Sequence, residues 1–331
     1  SENIFKRVRS ILKTEDFLIG NLECPISKES INQGLHKQEF LAEPNIAKTL
    51  AFEGFNAVNI SNNHISQHGL IAFENTIANL EQNGILAIGI INPGEKRQEL
   101  IIKQVKGKNL GLLSYSLVED HFATSPNFYA YNPSINEIID QIEDSKNKCD
   151  FLIIILHWGD EFIDHPSSSQ VSLAHKIIDA GCDVILGGHS HIFQGVEKYK
   201  GKIIAYSLGN FIFSMPWKPT RATGILKIKL NENGEHFFSV VPIWINNHFT
   251  PSIPLNKEKE YTRFLLDRTN QMLNNLRLSE EGYNKSLRKA LRCYRFSTWI
   301  DFIQNLPRMP LNVSSQLTLE FIKRRISNSS Q

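Results

Sequence analysis

No stretch of this sequence stays apolar for anything near the roughly 18 residues that a membrane-spanning helix needs. The longest candidate, residues 151–156, has the length of a strand. Cysteine is scarce: Cys24, Cys149, Cys182 and Cys293 are widely separated and form no Cys-x-x-Cys pair, so neither a zinc ribbon nor a disulfide framework is suggested. Charge of one sign is not in surplus either. With 36 basic against 34 acidic side chains, no global field argues for a polyanion such as nucleic acid as partner. Internal repeats and low-complexity tracts are missing, as is an initial methionine or a signal-type segment before Ser1-Glu2-Asn3. The expectation drawn from that beginning is a fragment of a longer protein. What is present is 331 residues, enough for one large domain with an appendage, or for two domains.

Along the chain, helical and strand patterns alternate. Residues 3–13 space Ile4, Phe5, Val8, Ile11 and Leu12 as one helical face. A strand over 16–23 follows, closed by Cys24-Pro25, where proline cannot continue a central strand. Helix 44–53 stops at Gly54, strand 56–60 leads to Ser61-Asn62-Asn63-His64, and helix 70–82 is closed by Gly84. Strand 85–90 is followed by a hairpin of 100–105 and 110–116 about Lys106-Gly107-Lys108-Asn109. Residues 118–132 read as a long aromatic loop, lying over a site or packed on the surface. Helix 135–146 precedes the continuous apolar strand 150–156, of the kind buried on both faces. Helix 169–180, strand 183–186, strand 202–207 and a hairpin of 225–230 and 237–244 complete the sequence of elements. His175 falls on the apolar face of its helix, packed or half-exposed there, and is left out of any site.

The ends of these strands carry the chemistry. Strand 183–186 runs into Gly187-Gly188-His189-Ser190-His191, where two glycines let the backbone leave sharply and two imidazoles one residue apart can converge on a metal or a metal pair. Strand 150–156 ends in His157-Trp158-Gly159-Asp160-Glu161, with acids placed to orient the histidine ring. Glu23 and Asn63 stand at two further strand ends, and His64 beside Asn63 is fit to be a ligand, an acid or a hydrogen-bond donor. In an open α/β sheet those ends share one crevice. One carboxylate, one amide and three imidazoles suit Mn, Fe, Zn or Mg rather than a thiolate site, and two such ions can clamp a phosphate.

Asn21-Leu22-Glu23-Cys24-Pro25, Asn62-Asn63-His64, His157-Trp158-Gly159, Gly188-His189-Ser190-His191 and Tyr206-Ser207-Leu208-Gly209-Asn210-Phe211 together resemble the successive signatures of the bacterial CapA family, the poly-gamma-glutamate capsule synthesis proteins. That family is a branch of the calcineurin-like metallophosphoesterases. The resemblance spans about residues 4 to 245 and implies an α/β fold, a four-layer αββα metallophosphoesterase-like sandwich with a C-terminal helical extension. It implies that Glu23 bridges two divalent ions, that Asn63, His157 and His189 hold one of them, that His191 reaches the other, and that His64 acts as acid. The family opens with a strand ending in Gly-Asp, whose Asp binds the first metal; no such segment precedes the helix at Asn3, and a fragment lacking that strand is the favoured explanation.

By the same resemblance the partners are a capsule or envelope polymer or its precursor and other capsule synthesis proteins; the charge balance argues for no nucleic acid. A change of composition near 251–256 sets the expected boundary between a CapA-like domain, 1–254, and a helical extension, 255–331. In that extension Lys285, Arg288, Arg292 and Arg295 share one helical face opposite Leu287, Leu291 and Tyr294, a solvated face or a peripheral contact with an acidic membrane or with phosphates.

Overall fold

A computed structural model describes residues 4–33, 39–92, 94–120, 132–213, 215–230, 236–274 and 279–308. The elements in chain order are α1 (Arg9–Leu12), β1 (Leu18–Asn21), α2 (Asn45–Glu53), β2 (Phe55–Asn59), α3 (Leu70–Gln82) and β3 (Leu86–Ile88). The chain continues through β4 (Ile101–Val105), β5 (Lys108–Ser116), α4 (Ile135–Ser145), β6 (Phe151–His157), α5 (Ser168–Ala180) and β7 (Val184–Gly188). Further along the described residues come β8 (Phe193–Tyr199), β9 (Lys202–Leu208), β10 (Ala222–Leu230), β11 (His236–Ile245), β12 (Pro251–Ser252), α6 (Asn256–Asn274) and α7 (Glu280–Asn305).

Local chemistry sets several of these limits. Gly54 closes α2 at a φ of 95°, a left-handed conformation that costs glycine nothing. Ser134 and Ser167 open α4 and α5 through capping boxes with Glu137 and Gln170, each pair satisfying two N–H groups that the first turn leaves over.

The strands form a six-stranded sheet ordered β4-β5-β6-β7-β9-β8 and two three-stranded sheets, β1-β2-β3 and β10-β11-β12. Side-chain parity shows how they stack. In β6, Phe151, Ile153 and Ile155 join Ala57 and Ile88 of the smaller sheet in a core between the sheets. Leu152, Ile154 and Leu156 point the other way, onto Ile138 and Ile142 of α4 and Ala174 and Ile177 of α5. On the far side Val58 packs with Phe5, Val8 and Leu12, with Ala47 and Leu50 of α2, and with Phe73 and Leu80 of α3. Four layers result, helix, sheet, sheet, helix, as the resemblance implies.

The structure departs from the sequence reading at particular places. The apolar face of residues 3–13 is buried as expected, but only Arg9–Leu12 is regular helix; residues 4–8 are turns. β8 was not anticipated, because Phe193-Gln194-Gly195-Val196 is buried throughout and has no alternation to read. Its edge is covered by α6, where Asn270 Oδ1 accepts from the Val196 N–H at 2.9 Å. The strand ends do not line one crevice of a single open sheet: Glu23 and Asn63 follow β1 and β2, whereas His157 ends β6 and His189 and His191 follow β7 in the facing sheet. His175 lies outside the site, stacked on Tyr199 at 3.7 Å and 2.9 Å from Glu197 Oε1. Lys285, Arg288, Arg292 and Arg295 are exposed on α7 while Leu287, Leu291 and Tyr294 are half-buried. Most of the aromatic loop 118–132, the turn at 231–234 and the chain beyond 308 lie outside the described residues.

Candidate metal centre

The parity that buries the inter-sheet core also delivers the site. Phe17 and Ile19 of the first strand region face that core, and two residues per repeat carry Asn21 and Glu23 to the same face. Ile153 and Ile155 carry His157 there from the opposite sheet. Apolar side chains give way to polar ones toward the rim: Asn59 Nδ2 donates to Asn21 Oδ1 at 2.7 Å, and Ser114 on β5 donates across the sheets to Asn59 Oδ1.

Each motif residue beside a candidate ligand has a holding task. Asn62, fully buried, donates to the Leu22 carbonyl at 2.8 Å and accepts from the His64 N–H at 3.2 Å, so it ties the end of β1 to the turn after β2. Trp158 donates through Nε1 to the Tyr206 carbonyl at 2.9 Å and lies parallel to the Tyr206 ring. That close approach needs Gly187: a Cβ there would stand 2.0 Å from the Tyr206 carbonyl oxygen and 2.6 Å from Trp158 Nε1.

At the rim, Asn63 Oδ1 lies 2.9 Å and His189 Nδ1 3.2 Å from His157 Nε2. Glu23 Oε1 stands 3.6 Å from the same nitrogen. Among the described residues, Glu23, His157 and His189 offer ligand atoms all within 4.8 Å of one another. His191 lies across Glu23, its Nε2 3.9 Å from Glu23 Oε1 and 3.9 Å from Glu161 Oε1. Its Nδ1 meets Asn210 Oδ1 at 2.8 Å, and Asn210 donates its own Nδ2 to the Thr220 carbonyl. An amide oxygen only accepts, so that contact puts the proton on Nδ1 and leaves Nε2 a bare lone pair aimed into the site. His64 stacks on Phe40 with ring centroids 4.0 Å apart, its Nδ1 2.8 Å from Gln67 Oε1.

Burial, with the charge of Glu161 added to it, pushes the Glu23 carboxyl up to about 8. Burial first and the neighbouring imidazoles second carry His157 well below 6.5 and His189 down to about 3. His191 falls to about 4, burial outweighing the upward pull of its Asn210 hydrogen bond. Near neutral pH the imidazoles are therefore uncharged, the protonation state a metal requires. Glu23 Oε1 is buried with no hydrogen-bond partner, and the atoms around His157 Nε2 are richer in lone pairs than in protons. Oxygen and imidazole donors in excess of protons, in a buried pocket, fit a borderline divalent cation.

Two assignments from sequence change. Asp160 and Glu161 do not orient His157; Asp160 accepts from Tyr283 on α7 at 2.9 Å, and Glu161 faces His191. Asn62 and Asn210 were read only as parts of motifs, and their holding roles depend on contacts across 40 and 19 residues of chain.

The class so defined is an αββα protein with a histidine- and oxygen-lined centre between its two sheet layers. The family model described as bacterial capsule synthesis protein PGA_cap matches residues 1–215, and the chain belongs to that family. It is 29% identical to the PGA biosynthesis protein CapA of Bacillus subtilis (strain 168) over 262 residues, 78% of this chain and 68% of that protein. It is 27% identical to the capsule biosynthesis protein CapA of Bacillus anthracis over 278 residues, 81% of this chain and 68% of that one. Among solved structures, a 5'-nucleotidase from Candida albicans SC5314 aligns at 14% identity and a TM-score of 0.45, over 88% of this chain and 51% of that chain.

Proposed function

We propose that the chain is a metal-dependent hydrolase of the metallophosphoesterase type, acting on a capsule or envelope polymer or its precursor. The observation that carries this is the buried, unpartnered Glu23 Oε1 facing His157, with Asn63 and His189 around the same nitrogen. Asn63, His157 and His189 would hold one divalent ion, His191 the other, and Glu23 both. The chemistry that Mn, Fe, Zn or Mg would supply at those residues is Lewis acidity toward a phosphoryl oxygen and activation of water near neutral pH.

His64 is the residue for the leaving oxygen. Burial lowers its pKa against the pull of Gln67, so it waits neutral with Nδ1 turned to Gln67. An anionic substrate would favour the imidazolium, and with Nδ1 turned to Gln67 the added proton would sit on Nε2, from which it could pass to the leaving oxygen. His64→Gln should lower hydrolysis of a phosphodiester probe by about 10²- to 10⁴-fold while metal content, read by elemental analysis, stays at the wild-type value. An undiminished rate would remove His64 from the chemistry; wild-type protein that takes up no stoichiometric metal would end the whole reading.

A second reading is favoured by the names of both Bacillus relatives, which describe polymer biosynthesis and not hydrolysis. The same rim would then hold polymer or a partner protein without breaking a bond. Capsule retained in cells carrying His64→Ala would favour this scaffold; capsule lost with metal content and partner binding intact would favour catalysis.

A further inference from the structure

We infer that Glu161 is a ligand of the second cation, beside His191 and Glu23, and that α7 is the clamp that holds it in place; this rests on the metal-centre reading above. Three observations carry it. First, His191 Nε2, left bare by the Asn210 contact, has two carboxylate oxygens at the same 3.9 Å, one from Glu23 and one from Glu161. At that separation neither oxygen is in direct contact with the nitrogen. Second, among the described residues Glu161 makes no hydrogen bond, so nothing there competes for its oxygens.

Third, both neighbours of Glu161 are fixed by α7. Tyr283 donates to Asp160 Oδ2 at 2.9 Å, and Tyr294 stacks on Phe162 at 3.7 Å and 13°. Phe162 is buried, stacks on His191 at 5.8 Å, and donates its N–H to the Ser190 carbonyl at 2.8 Å. It holds a φ of 66°, a conformation an aromatic residue keeps only when its surroundings impose it. α6 adds a tether further on, Arg268 to Asp164 at 3.0 Å. The loop between Trp158 and His165 is thus pinned by the last two helices of the described chain, with the one carboxylate between the pins turned to His191.

The test is Mn²⁺ binding to metal-depleted full chain, by calorimetric titration with electron paramagnetic resonance to tell an exchange-coupled ion pair from isolated ions. Wild type should bind two ions and show the coupled signal. Glu161→Gln should weaken the second ion on the order of a hundredfold or more, replace the coupled signal with an isolated one, and leave the first ion's affinity unchanged. The unchanged first ion serves as the check on folding, and Glu161→Asp, which keeps the carboxylate, should recover part of the loss. Tyr294→Ala should weaken the second ion about tenfold, the usual cost of losing a residue behind a ligand, and Tyr294→Phe should not. Glu161→Gln with two ions bound as tightly as in wild type would overturn the inference and leave the metal centre standing. Wild type binding a single ion, unaltered by Glu161→Gln, would do the same. Wild type binding none would overturn both.

Discussion

His189 and His191 hold φ angles of 93° and 58°, a region that costs a non-glycine residue about 1–3 kcal/mol. Both are buried, and both turn their rings into the rim between the sheets. Strain of this kind persists where a site gains from it, and His157 shows the same trade in a different form. It is buried at the end of the inter-sheet core with its Nδ1 lacking any hydrogen-bond partner, a poor choice for stability alone. His157→Leu should therefore leave the chelated protein as stable as wild type or more so, and should abolish the stabilisation that Mn²⁺ gives wild type, about 2.7 kcal/mol at a hundredfold excess over Kd. Urea titrations with and without Mn²⁺ check both halves. A variant that loses stability equally in both conditions would mean that the imidazole is a packing group.

Among the elements, α1 is short and is tied to α2 by polar contacts of Arg9 and Lys13. Arg9 donates through Nε and Nη2 to the Glu53 carboxylate of α2, at 2.7 to 3.1 Å, and that carboxylate is fully buried. Arg9→Ala removes the guanidinium fork from a buried carboxylate and should lower stability, by less than breaking a fully buried pair because Arg9 is one-third exposed. The urea midpoint should fall without a change in slope, and Mn²⁺ affinity should hold, since α1 and α2 cover the outer face of the small sheet. Coupled loss of metal would mean that the outer helices set the site. Elements like these were legible from sequence where a single face or a cap decided them: α3 matches its expected span, and Gly54 ends α2 as expected. β8 was not, because α6, some 60 residues later, buries a strand whose own residues carry no alternation.

For the molecule as a whole, the buried titratable groups fix how stability depends on pH in metal-free protein. His157, His189, His191 and His236 all titrate below the 6.5 of an unfolded chain, burial being the main cause. Below pH 6.5 the unfolded chain binds more protons, so stability falls as pH falls. Glu23 acts in the opposite sense. Held up at about 8 against an ordinary 4.5, it keeps in the fold a proton that the unfolded chain has given up, so its contribution to stability falls as pH rises from 6.5 to 8. Chelated protein should be most stable near neutral pH, where the two effects balance, and urea midpoints that keep rising up to pH 8 would show that Glu23 is not protonated in the fold. From sequence alone came the elements with one-sided patterns, the strand-end placement of Glu23, Asn63, His157, His189 and His191, and their donor chemistry, because periodicity, glycine punctuation and residue type are local properties. Tertiary structure alone decided that those ends come from two facing sheets, that Asn210 sets the His191 tautomer, and that α7 bears on the loop carrying Glu161. Each of those depends on which buried faces meet, and packing between distant segments leaves no mark in the spacing of the residues that take part.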